Sequence, residues 1–406
     1  MNKLVNWSVP RSAAVICAAI GMLTTAAVQA ADKEAVVGFA IAQSGMFQPY
    51  DEEGAKVAQL FIDQLNASGG LLGHKLKSVM ADTKSDRVEG AKAGNAVLKD
   101  GAKLVFVTCD YDFGAPAALQ ANKAGVMSVS LCAGDPKMGP VGAGDNVFSS
   151  TIAAQVEGAT LAEWAYKQKK ARNAYVLLDS TIEYTKSVCA GFDWAWEKNG
   201  GTIIGRDTFR NGDPSIATQV TRIAAAIKEK KADLIMLCSY LPGSATALRQ
   251  LRAAGIDLPI VSGQAMAGTF WTGSVPNLSN FHAVMQASTE GDPRSSVKKI
   301  LDAYKAKYGK PLGQATGLPI YAWMELWARA VKEAGSFDAK DVVAKMNQYK
   351  DVSTSLGPYS FSPKLHIQDR AEMAIVKIDG GKQTDVTIIP PGDPIPVSVL
   401  YRTQKK

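Results

Sequence analysis

Rings and polar groups that a small molecule can use stand directly after the apolar runs of this sequence. The segments are Ser44 to Tyr50, Cys109 to Asp112, Cys132 to Asp135, Ile182 to Thr185, Ser239 to Leu241 and Gly263 to Ala265. Phe47, Tyr50, Tyr111, Tyr184 and Tyr240 supply aromatic surface, while Asp110 and Gln264 supply polar ends. Aromatic walls with a few polar groups suit a binding cleft for a small solute. A catalytic use of Asp110, Asp112 and Glu183 as acid and base is conceivable. No nucleophile or metal-ligand pattern stands beside them.

Other chemistries lack their residues. His74, His282 and His366 are far apart and show no metal-ligand spacing, so no metal and no cofactor are expected. Gly70 to Lys75 lacks the phosphate-loop spacing, Gly139 to Gly144 reads as a turn, and no Gly-x-Ser-x-Gly elbow occurs. Cys109 and Cys132 each close a strand-like run, so a disulfide between neighbouring strand ends and two isolated thiols both stay open. Cys189 lies in a helical pattern and Cys238 ends a strand, which makes their pairing the less expected one.

The elements that position these residues follow from an ordinary globular composition. The 406 residues are 47% hydrophobic and 20% charged, with a formal charge of +7. The basic residues are scattered rather than gathered in a stripe, so no nucleic-acid partner is expected. Residues 1–30 read as a cleaved secretory signal: Lys3 and Arg11, an apolar stretch from Ser12 to Val28, then Val28-Gln29-Ala30. Beyond it, strand-like runs alternate with helical stretches. Val-Val-Gly-Phe-Ala-Ile at 36–41, Leu-Val-Phe-Val at 104–107 and Leu-Ile-Met-Leu at 234–237 show little polar alternation, as strands of a parallel sheet covered on both faces do. One series of strand and helix precedes residue 150 and a second follows it, which implies two doubly wound α/β sheets.

Gln43-Ser44-Gly45, then Ile62 to Gly73 (Ile-Asp-Gln-Leu-Asn-Ala-Ser-Gly-Gly-Leu-Leu-Gly), carry a resemblance. Asp82 with Asp86, Gly255 with Leu258-Pro259, Tyr304 with Tyr308-Gly309, and Gly357-Pro358-Tyr359-Ser360-Phe361 extend it in order along the chain. The sequence resembles the periplasmic solute-binding proteins of branched-chain amino-acid ABC transporters, the type I Leu/Ile/Val-binding class. That resemblance implies two doubly wound parallel-sheet lobes joined by three crossover segments, with a ligand in the cleft between them. The crossovers are expected near Ser149–Ile152, Leu278–Ala283 and Lys350–Leu356. Lobe one is then 32–150 plus 283–350, and lobe two 151–282 plus 351–406. A periplasmic, monomeric, non-enzymatic protein is implied, with a small-molecule ligand and an ABC permease of the inner membrane as partners. An extracytoplasmic sensor or an exported enzyme would use the same cleft.

By the same resemblance the ligand-binding positions are Tyr50, Asp110, Tyr111, Ala133, Gly134, Tyr184, Tyr240 and Gln264. Tyr50, Tyr184 and Tyr240 match the family's cleft tyrosines. The family places a serine where Asp110 stands, and its hydroxyl meets a ligand carboxylate. It places a threonine at Gly134, and at Gln264 an acid that meets the ligand ammonium. These departures disfavour a plain aliphatic zwitterion and favour a donor-rich ligand such as an amide, a urea-like compound or a cation, or a larger aromatic one. Asp110 is alternatively a helix cap.

Overall fold

The computed structural model describes residues 33–403. The expected export signal, residues 1–30, lies outside them. No helix among the described residues is long and apolar enough to cross a membrane.

The first series is β1 (Lys33–Ile41), α1 (Gln48–Ala67), β2 (His74–Asp82), α2 (Arg87–Lys99), β3 (Leu104–Val107), α3 (Tyr111–Lys123), β4 (Met127–Ser130) and β5 (Val147–Ser149). Its strands form one parallel sheet in the order β2-β1-β3-β4-β5. The runs without polar alternation are its buried centre, where Phe39 of β1 stacks on Phe106 of β3 at 4.7 Å. The second series is α4 (Ala154–Lys167), β6 (Asn173–Asp179), α5 (Glu183–Lys198), β7 (Thr202–Phe209), α6 (Ala217–Lys230), β8 (Leu234–Cys238), α7 (Gly243–Ala253), β9 (Ile260–Ser262) and β10 (Phe281–Met285). The chain continues through α8 (Ser295–Tyr308), α9 (Leu318–Ala334), α10 (Ala339–Met346), a hairpin of β11 (Val352–Thr354) and β12 (Gly357–Tyr359), then β13 (Met373–Asp379), β14 (Lys382–Ile389) and α11 (Val397–Leu400). The second sheet runs β14-β13-β10-β9-β8-β6-β7, parallel except for β13 and β14, which close one edge antiparallel.

Three passages between the lobes lie side by side and are cross-bonded. Ser149 N donates to His366 O at 3.0 Å and Ala153 N to Gln368 O at 2.7 Å. Thr151 Oγ1 meets Gln286 Oε1 at 3.0 Å, and Gln286 Nε2 meets the hydroxyl of Tyr359 at 3.3 Å. Two sequence-based boundaries shift accordingly. Residues 283–285, expected in lobe one, belong to β10, whose backbone pairs with β9 and β13 in the second sheet. Residues 351–366, expected in lobe two, pack on the first lobe's helices and sheet. Ser355 N donates to Glu325 of α9 at 2.8 Å, and His366 stacks on Phe148 of β5 at 3.8 Å. Burial of Tyr359, Phe361 and His366 outweighs a direct return to the second sheet.

Disulfides link Cys109 to Cys132 and Cys189 to Cys238. The second pairing corrects the sequence expectation. Its cysteines sit on α5 and at the end of β8, and α5 packs on β8, so a helix and a strand far apart in sequence meet there.

Candidate functional site

The first lobe's wall begins with a buried carboxylate. Asp51 of α1 accepts from Ala42 N at 2.6 Å and Cys109 N at 2.7 Å, tying the first turn of α1 to the ends of β1 and β3. Burial pushes Asp51 up to about 7. Pro49, in that first turn, suits a helix start. The anchored turn presents Tyr50, with Phe47 just before it. Asp110 is the N-cap of α3: its Oδ1 accepts from Phe113 N at 3.1 Å, while its Oδ2 is buried with no partner. The Cys109–Cys132 link joins the ends of β3 and β4, beside Ala133 and Gly134. A Cβ on Gly134 would stand 3.1 Å from both Ala154 Cβ and the Tyr184 ring, so the bare backbone lets the lobes approach here.

The second lobe's wall has a different organiser, Glu157 of α4. Its Oε2 accepts from Gln264 N and from the hydroxyl of Tyr184, each at 2.8 Å. The Tyr184 hydroxyl in turn accepts from Ala265 N at 3.0 Å. Gly263 makes room for this group, because a Cβ there would sit 2.5 Å from the Tyr184 oxygen and 2.7 Å from Glu157 Oε2. Ile182 and Tyr240 complete the wall.

Both walls line one cavity, with about 390 Å³ of empty space when its open mouth is included. Tyr50 bridges them: its hydroxyl accepts from Leu241 N at 3.1 Å and donates to Ala265 O at 3.2 Å. Phe47 stacks on Tyr240 with ring centres 5.9 Å apart. At the rim, Glu183 N donates to Asp112 at 2.8 Å and Lys137 pairs with Glu183 at 2.7 Å, again from lobe to lobe. Arg402, beyond α11, seals this corner by pairing with Asp135 at 2.7 Å and with Glu183.

The interior is acidic. Asp110 and Glu157 line the cavity, and among the described residues no Lys, Arg or His does. Burial is the main reason both carboxyls are pushed up, Glu157 to about 7; the charges of Asp112 and Asp135 raise Asp110 further. A raised folded-state value means that the native protein binds the proton more tightly than the unfolded chain. The stability contributed by neutral Glu157 is therefore present at low pH and lost as pH rises from the usual carboxyl range through about 7. Glu157→Gln should gain roughly 2–3 kcal/mol relative to the parent between pH 5 and pH 8. Denaturant melts of both proteins at the two pH values measure this, and a pH-independent difference would contradict it.

The expected positions distribute unevenly. Tyr50, Asp110, Ala133, Gly134, Tyr184, Tyr240 and Gln264 all line the cavity. Tyr111 does not. One step along the chain from Asp110, it packs against a separate apolar cluster that includes Ala133 and Met138. Glu157 and Thr316 line the cavity and were not anticipated. Glu157 carries a faint sequence signal, as a lone acid among small and apolar residues from Ala153 to Ala162. Thr316 carries none. The neutral Gln264 is also offset by its neighbour, since Glu157 places an acid against the backbone of Gln264 itself.

Residues 34–383 match the model of a family described as periplasmic binding protein. The chain belongs to the periplasmic binding protein family. It is 24% identical over 355 residues to Leu/Ile/Val-binding protein homolog 3 of Brucella melitensis, covering 87% of this chain and 94% of that protein. Its fold is similar to that of the branched-chain amino acid transporter substrate binding protein LivJ of Streptococcus pneumoniae, solved with isoleucine. The TM-score is 0.77 and the identity 26%, over 88% of this chain and 100% of that one. A solute binding protein of R. palustris, solved with benzoate, gives a TM-score of 0.72 at 16% identity over 88% and 96%; that likeness concerns the fold alone. The family is one of binding proteins rather than enzymes.

Proposed function

We propose that the protein is the periplasmic substrate-binding component of an ABC importer of the branched-chain amino-acid type, exported, monomeric, and delivering a small amphipathic solute to an inner-membrane permease. The observation that carries this reading is the cavity closed from both sides, with Tyr50 of the first lobe hydrogen-bonded to Leu241 and Ala265 of the second. Those bonds exist only when the lobes are shut, so a ligand that touches both walls stabilises the shut form by its differential affinity. The shut form alone offers a permease one surface built from both lobes.

Thermal-shift measurements on the exported chain with amino acids, amides, amines and aromatic acids test capture, because a specific ligand raises the midpoint by mass action. Small-angle scattering of the same samples should show a smaller radius of gyration with the active compound. The reading would be abandoned if no compound moved the midpoint.

A further inference from the structure

We infer that the captured solute is an organic cation without a carboxylate, its cationic group lying between Asp110 and Glu157 and its apolar body against Phe47, Tyr50 and Tyr240. This rests on the capture reading above and names the ligand class for the same site.

Four observations carry it. Asp110 is 2% exposed, its Oδ2 has no partner, and it faces the cavity. Thr316 Oγ1, also lining, is likewise unpartnered and can accept from the same donor group. Glu157 approaches from the opposite lobe, so the two acids stand on different walls of the same cavity. Cations beside the flanking acids are already paired: Arg87 with Asp112 at 3.2 Å, Lys137 with Glu183 at 2.7 Å, and Arg402 with Asp135 at 2.7 Å. A ligand carboxylate shut into this lining would face two acids and no counter-charge, in a space too dry to screen them. A cation meets two acceptors and the faces of the surrounding rings.

The titratable groups around the acids have the same sign or none. Tyr184 faces Glu157 from α5. Asp112 on α3, Asp135 in the loop after β4, and Tyr240 face Asp110. A bound cation therefore favours ionised acids, and binding near pH 6.5 should release protons.

Calorimetric titration of the exported chain decides the matter with two matched sets: isopentylamine, leucine and isocaproate, then phenethylamine, phenylalanine and hydrocinnamate. The expected result is that the best cation binds at least tenfold tighter than its zwitterion, with no heat from its anion. Its affinity should rise from pH 6 to pH 8. Titration in two buffers of different ionisation heat should show proton release. Asp110→Asn keeps the helix cap and should weaken the cation at least tenfold. A zwitterion or anion that binds as tightly as its cation, or proton uptake on binding, overturns the inference while leaving capture intact. Absence of binding by every compound overturns the capture reading and the inference with it.

Discussion

Gly158→Ala is expected to cost about 3 kcal/mol or more of unfolding free energy, the high end for overpacking at a buried position. α4 and α5 pack against each other in the second lobe, and two glycines make that approach. A Cβ on Gly158 would overlap the carbonyl oxygen of Val188, and one on Gly191 would overlap that of Gln155. Both obstacles are backbone, so neither can rotate away. Room for a methyl requires the helices to separate, and that shift would also carry Glu157 and Tyr184, which sit on the same two helices, out of register. Urea melts of Gly158→Ala and Gly191→Ala measure the effect. A loss below about 1 kcal/mol in both would show that the helices yield easily.

Tyr50→Phe should weaken ligand binding roughly hundredfold while leaving the ligand-free protein nearly as stable as the parent. The ring and its packing on Phe47 and Phe270 stay, and the hydroxyl goes. In the open form the peptide groups of Leu241 and Ala265 are free to bond water. In the closed form the variant leaves them unpaired. The cost falls on closure alone, at about 1–3 kcal/mol for an unsatisfied buried group plus the bonds forgone. A shift of about 2.7 kcal/mol in the closure equilibrium is a hundredfold in apparent affinity. Titration with the best compound of the panel checks this. An unchanged affinity would mean that the tyrosine bridge plays no part in holding the lobes shut.

The site was legible where it followed strands and obscure where it followed helices. The apolar runs at 36–41, 104–107 and 234–237 are strands of the two sheets, and the residues just after them do reach the cavity. A parallel sheet places all its carboxyl ends at one edge, so a linear list of strand ends is already a list of neighbours. The helix beginnings were harder. Apolar periodicity suggests starts at Gly54, Gly114 and Lys186, whereas α1, α3 and α5 start at Gln48, Tyr111 and Glu183. Those early turns hold Tyr50, cap with Asp110 and hold Tyr184. A turn that faces a polar cavity on one side and solvent on the other shows no apolar stripe to read.

Local order in the chain thus sufficed for the strand-and-helix alternation and the two-sheet architecture, because each depends on the character of a few consecutive residues. Glu157 against the backbone of Gln264, the link from Cys189 to Cys238, and the late returns of the chain at residues 286 and 366 depend on groups far apart in sequence. Their neighbours are chosen by how the helices and sheets stack, and that stacking, rather than residue type, is what brings a lone helical glutamate to the wall of the cavity.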